Sequence, residues 1–154
     1  MMRTARTMTT ADTEAALETL IGDFFRAVSF ETGERPAYDR IHDLFVEQGK
    51  LIKNSSEAPE VSTVDQFIAS RQRMVDSGAL TSFREIEIAE ITEVFGNVAH
   101  RFSTYVKSGT LEDAAIEGRG VISTQFIRTP SGWKMSSMAW DDERPGLTIP
   151  ARYR

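Results

Sequence analysis

The chain has 154 residues, with 18 Lys plus Arg against 23 Asp plus Glu and a formal net charge of −5. One domain with a single core is expected, and the charge gives no general reason to seek nucleic acid. Cys is absent and His occurs only at 42 and 100, which excludes disulfides, thiolate nucleophiles, Cys-ligated metal and multi-histidine centres, so no metal and no cofactor is expected.

Residues 1–12 carry Arg3 and Arg6 with no apolar run behind them. They read as a flexible arm and not as a secretory signal. No uncharged run approaches the roughly 18 residues that span a bilayer, so a cytoplasmic protein without membrane contact is expected. The domain proper covers residues 13–143. From Thr13, the residues Leu17, Leu20, Ile21, Phe24, Phe25 and Val28 recur with helical period and form one wide apolar face, capped at its start by Thr10 or Asp12.

Pro36 suits the first turn of a second, short helix with Tyr38, Ile41 and Phe45 on one face. A short strand is expected at residues 50–53 and a polar loop at residues 54–59. Thr63 followed by Gln66 is a capping-box signature, so a third helix starts near Val64 with Val64, Phe67, Ile68, Met74 and Val75 on its apolar face. Arg71 lies on that same face. Such a charge either snorkels past the core or points into a cavity.

After Ser77-Gly78 the period changes from 3.6 to 2. Strands are expected at residues 83–95, 98–107, 118–128 and 133–140, with a turn at Gly96-Asn97, a longer loop at residues 108–113 and a four-residue turn at residues 129–132. The tail, residues 144–154, contains Pro145 and Pro150 and reads as extended, lying over a neighbour. The sum is an α+β fold, three N-terminal helices followed by a meander of long antiparallel strands.

A four-residue loop in the last hairpin sets Arg128 opposite Trp133, Gln125 opposite Ser136 and Ser123 opposite Met138. Val121, Ser123, Gln125, Ser136, Met138 and Trp140 then share one face. Neither face alternates cleanly between apolar and charged residues, which predicts that both are covered, one by the helices and one by a second copy of the chain. Val98, Phe102, Val106, Ile122, Phe126 and Met135 are the apolar positions expected at that homodimer face.

The element order, together with Tyr38-Asp39-Arg40-Ile41-His42-Asp43-Leu44-Phe45, Phe95-Gly96-Asn97-Val98-Ala99-His100 and Gly132-Trp133-Lys134-Met135, resembles the nuclear transport factor two-like superfamily. Within it the chain is similar to bacterial proteins related to polyketide cyclases and ketosteroid isomerases. The resemblance implies a cystatin-like cone, a strongly curved sheet wrapped round the helices with a pocket at its open end, and homodimers through the outer sheet face. It also implies where isomerase machinery would sit. Those positions hold Phe24, Lys53 and Ser123 in this sequence. Neither carboxylate of that reaction is kept, so ketosteroid isomerisation is not expected.

The pocket-facing set expected from this alignment is Phe24, Phe45, Met138 and Trp140 as walls, with Arg101, Ser103, Tyr105, Ser123 and Gln125 as a polar floor and Arg71 above it. This arrangement suits a small, partly apolar ligand with an anionic or polar end. The alternative for Arg71 is an internal ion pair with Glu85 or Glu87. No catalytic residue is assigned. His42 reads as a helix-surface residue and His100 as a dimer-face residue, while Asp39, Asp43, Asp141, Asp142 and Glu143, like Glu85, Glu87, Glu90 and Glu93, read as solvated surface or rim. Two functions remain open. One is a binding protein without chemistry, and the other is a dehydratase, isomerase or cyclase acting on a hydrophobic carbonyl or hydroxy compound. An ionisable residue with a perturbed pKa facing the cavity would distinguish them.

Overall fold

The structure, a computed structural model, describes residues 9–154. Of the arm expected over residues 1–12, positions 1–8 lie outside the described residues. Helix α1 (Thr10–Val28) is capped by Thr9, not by Thr10 or Asp12: the Thr9 hydroxyl accepts the Asp12 N–H at 3.0 Å while the Asp12 carboxylate answers the Thr9 N–H. Leu17, Ile21, Phe24, Phe25 and Val28 are buried as their spacing predicts.

The expected second α-helix is only a short 3-10 helix (Tyr38–Asp43) that buries Tyr38 and Ile41. Phe45 opens strand β1 (Phe45–Lys53), so it does not close a helix. The Met135 N–H donates to the Leu44 carbonyl at 2.8 Å, which draws the chain into the sheet at that point. Strand β2 (Glu60–Thr63) follows, then helix α2 (Val64–Asp76), whose capping box is formed by Thr63 and Gln66 as read from the sequence. Among the described residues the fold has two α-helices, not three.

Strands β3 (Leu80–Phe95), β4 (Val98–Leu111), β5 (Ala114–Thr129) and β6 (Gly132–Asp142) are longer than expected. The loop expected at residues 108–113 contracts to a turn at Glu112-Asp113, where both residues adopt positive φ (50° and 62°), the geometry that joins two twisted strands tightly. The sheet order is β2-β1-β6-β5-β4-β3. Because β1 runs parallel to β6, the sheet is mixed; it is open and lacks the strong curl of the expected antiparallel cone. No helix among the described residues is long and apolar enough to cross a membrane.

Two bulges decide which side chains face the helices. In the β5–β6 hairpin Arg128 lies opposite Trp133 as expected, but Ser136 is an extra residue, so Gln125 meets Ser137 and Ser123 meets Ala139. Each bulge reverses the faces beyond it. Ile122, Thr124 and Phe126 therefore point into the core with Met135 and Met138, and Ser123 and Gln125 point to the outside. In β3, Ile88 is the extra residue: Ala89 pairs with Thr104 and Glu87 with Tyr105.

These registers correct part of the proposed outer face. Ile122, Phe126 and Met135 are core residues, while Val98 is exposed as expected and Phe102 and Val106 are half-buried; Ile86, Ile88, Ile91 and Phe95 are the further exposed apolar positions of β3. The tail lies on this chain's own outer face. Tyr153 packs its ring against Phe102 at 5.0 Å between centroids, and its carbonyl accepts the Thr104 hydroxyl.

Candidate functional site

A cavity of about 490 Å³ opens between the two helices and the inner face of the sheet, a volume within the usual range for a small-molecule site. Its walls are aromatic. Phe24 of α1 lies 6.3 Å from Phe67 of α2, and Phe67 meets Trp140 of β6 edge-on at 6.2 Å. Phe83 of β3 and Met74 of α2 add to the apolar surface, together with aliphatic residues such as Val28, Leu51 and Ile122.

Among the polar side chains that line this space are Arg71, Glu85, Tyr105, Lys107 and Asp142. Three form one network. The Lys107 ammonium donates to both Asp142 carboxylate oxygens at 3.0 and 2.8 Å, and the Tyr105 hydroxyl donates to the same carboxylate. Gly120 permits this arrangement, because a Cβ there would overlap the Tyr105 hydroxyl and the Asp141 carbonyl. Burial, reinforced by the adjoining Asp142 charge, pushes the Tyr105 phenol far above its ordinary range, so it stays a hydrogen-bond donor.

Arg71 behaves differently. Its guanidinium carbon stands 5.1 Å from the Phe67 ring centroid and 5.2 Å from that of Phe83, so the aromatic faces hold it by cation–π attraction. Among the described residues no carboxylate approaches it within 4.0 Å. The ion pair with Glu85 or Glu87 weighed as the alternative is therefore not formed. Burial pushes the Glu85 carboxyl up to about 7, against the lowering influence of Arg71 and Lys107 and with a smaller upward push from Asp142. The distinguishing feature sought in the sequence, a perturbed ionisable group facing the cavity, is thus present in Glu85.

Of the residues read from sequence, Phe24, Arg71, Tyr105 and Trp140 line the cavity. Phe45 and Met138 are buried in the core and do not line it, although the Phe45 ring packs against Phe24 at 6.4 Å. Arg101 and Ser103 are also buried away from it. Arg101 is bidentate to Glu87, at 3.0 and 2.6 Å, and forms a structural ion pair. Ser123 and Gln125 lie on the other side of the sheet, in a shallow groove beside Phe95 and His100.

Neither histidine lines the cavity. His42 is exposed and contacts Asp65 at 2.6 Å, a hydrogen bond that raises its pKa, while His100 contacts Glu93 at 2.8 Å. Glu85, Lys107 and Asp142 were not among the expected cavity residues; the facing of Glu85 depends on the β3 bulge, whereas Lys107 and Asp142 follow the strand alternation of Tyr105 and Trp140, two residues before each. Among the described residues no group of three or more His, Asp or Glu is placed to hold a metal ion.

No protein-family model and no curated protein matches this chain. Solved structures do match in fold. A nuclear transport factor 2-like superfamily protein from Salmonella enterica superimposes with a TM-score of 0.72 at 13% identity, covering 87% of this chain and 93% of its own. An uncharacterised cystatin-like protein from Caulobacter vibrioides gives 0.69 at 12% identity, with 88% and 92% covered. A hexachlorocyclohexane dehydrochlorinase from Novosphingobium barchaimii gives 0.70 at 13% identity, with 90% of each chain covered. At such identities the likeness speaks for architecture alone, and on the order of its elements, its sheet and these superpositions the chain has the nuclear transport factor 2-like, cystatin-like fold.

Proposed function

We propose that the cavity binds a small, largely apolar molecule bearing an anionic end, with the anion on Arg71 and the apolar body between Phe24, Phe67 and Trp140. The observation that carries this reading is the Arg71 guanidinium itself. It is fixed between two aromatic rings, faces a space of about 490 Å³ and has no carboxylate within 4.0 Å among the described residues. Its polar neighbour within the fold is the neutral Tyr38 hydroxyl, and a cation on aromatic rings with no carboxylate paired to it is a strong site for a charge-assisted hydrogen bond from outside. Asp142, the nearby acid of the network, is already engaged by Lys107 and Tyr105 and competes little for Arg71.

The test uses naphthalene-2-carboxylate and its neutral amide at pH 6, where Glu85 is mostly protonated. The carboxylate is expected to bind wild type roughly 10–100-fold more tightly than the amide, the equivalent of about 1.5–3 kcal/mol for a charged hydrogen bond. Arg71→Met should abolish that preference while keeping the fold, read by calorimetric titration and circular dichroism. Equal affinities for the two probes in wild type would refute the anion assignment. We further propose that the exposed outer-face residues Ile86, Ile88, Ile91, Phe95 and Val98 form a self-association surface, since they expose an apolar patch on one side of the sheet.

A further inference from the structure

We infer that the cavity takes an amphoteric ligand, an aromatic or similarly apolar body whose head carries an ammonium group beside its carboxylate, with the carboxylate on Arg71 and the ammonium on Glu85. The inference rests on the pocket reading above and names the ligand class of that same site.

Its basis is the pattern of pairing among the charged side chains of the cavity. Lys107 and Asp142 hold each other at 3.0 and 2.8 Å and, with the Tyr105 hydroxyl, form a stretch of wall without net charge. The Glu143 carboxylate accepts the Ile149 N–H at 2.9 Å, and Lys53, Glu60 and Glu117 are exposed. One cation and one acid are left over. Arg71 and Glu85 both line the cavity, and among the described residues neither enters an ion pair. The main chain of Glu85 is anchored by its N–H, which the Ser29 hydroxyl of the α1 end accepts at 3.1 Å.

The two unpaired groups stand on adjoining elements. Phe83 and Glu85 are alternate residues of β3 ahead of its bulge, so their side chains share one face with an offset of about 7 Å along the strand. The Arg71 guanidinium, reaching over from α2, lies against the Phe83 ring at 5.2 Å. Of the charges acting on Glu85, that of Arg71 is the strongest, and yet the two do not meet. They are neighbours without being partners. An α-ammonium carboxylate head carries opposite charges on adjacent carbons and so presents one to each wall group at once.

Filling the cavity is what makes the match selective. Arg71 and Glu85 are half-buried, so solvent serves both until a ligand arrives. A ligand whose body occupies the space between Phe24, Phe67 and Trp140 removes that solvent. A purely anionic ligand then satisfies Arg71 but encloses Glu85 beside a second negative charge, or forces it to take up a proton. A purely cationic ligand leaves the Arg71 guanidinium in the corresponding position. Only a head with both charges answers each group with its opposite, and specificity follows from the cost that its one-charged relatives incur.

The experiment titrates three probes into the full chain by calorimetry at pH 8, where Glu85, pushed up to about 7, is mostly ionised. They are L-tryptophan, indole-3-propanoate, which lacks the ammonium, and tryptamine, which lacks the carboxylate. Wild type is expected to bind tryptophan roughly 10–100-fold more tightly than either relative, the usual strength of one hydrogen bond to a charged group. Glu85→Gln should erase the preference over indole-3-propanoate and keep that over tryptamine. Arg71→Met should do the reverse, a crossed pattern that a folding defect does not produce, with circular dichroism confirming both folds. A wild type that binds tryptophan no more tightly than indole-3-propanoate, or a Glu85→Gln protein that keeps the preference, overturns the amphoteric assignment and leaves the anion reading standing. A wild type that prefers neither tryptophan over tryptamine nor naphthalene-2-carboxylate over its amide overturns both.

Discussion

Replacing Glu85 with Gln should make the protein more stable at pH 8 and nearly unchanged at pH 5. The sign follows from proton linkage. Folding raises the carboxyl from its ordinary 4.5 to about 7, so between these values the folded chain holds a proton that the unfolded chain has released. Stability contributed by this group is complete below pH 4.5, falls as pH rises through 7 and is constant above it. At about 1.36 kcal/mol for each pH unit separating the two values, the wild-type loss is about 3 kcal/mol.

Gln has nearly the shape of the protonated acid and cannot ionise, so it escapes this loss. In a chain of this size 1 kcal/mol moves the melting point by roughly 2–4 °C, which places Glu85→Gln roughly 6–12 °C above wild type at pH 8. Urea melts of both proteins at half-unit intervals from pH 4.5 to 8.5 would measure the difference, since shared titrations cancel between them. Two parallel stability curves would refute the placement of Glu85 in a desolvated cavity.

Arg101→Ala should cost about 3–5 kcal/mol, because it strands the Glu87 carboxylate in the core, where the Arg101 side chain is only 5% exposed and that of Glu87 17%. The double variant Arg101→Met/Glu87→Leu should recover most of that loss in denaturant melts, and a single-variant cost below about 1 kcal/mol would show that the pair is dispensable. For the outer face, light scattering at micromolar concentration should give twice the 17.2 kDa chain mass for wild type and the chain mass alone for Phe95→Asp. A wild-type particle of 17.2 kDa would refute self-association.

Local chemistry was readable wherever one short stretch contains the whole cause. The Thr63 and Gln66 cap, the apolar stripe from Leu17 to Val28 and the turns at Gly96 and Gly132 are such cases, and each occurs where the pattern places it. Arg71 belongs with them. A lone cation on an apolar helix face has few places to go, and it is found among the cavity's aromatic rings. The short helix was misjudged because Tyr38, Ile41 and Phe45 fit a helical spacing, whereas Phe45 is claimed by pairing with β6, a strand some ninety residues later.

Facing in the sheet was a different problem. An unbroken β3–β4 register would carry Ile86 inward opposite Lys107, and hydrophobicity agrees with that choice. The bulge at Ile88 puts Glu85 there instead and leaves Ile86 and Ile88 exposed. The extra Ser136 likewise exchanges Ser123 and Gln125 for Ile122 and Thr124. The sequence by itself determined the two α-helices, the α2 cap, the turns at Gly96 and Gly132 and the cation on α2, because those depend on neighbours along the chain. Only the tertiary structure decided which carboxyl enters the cavity: strand facing has a period of two, so a single inserted residue, set by packing across the whole sheet, reverses every assignment beyond it.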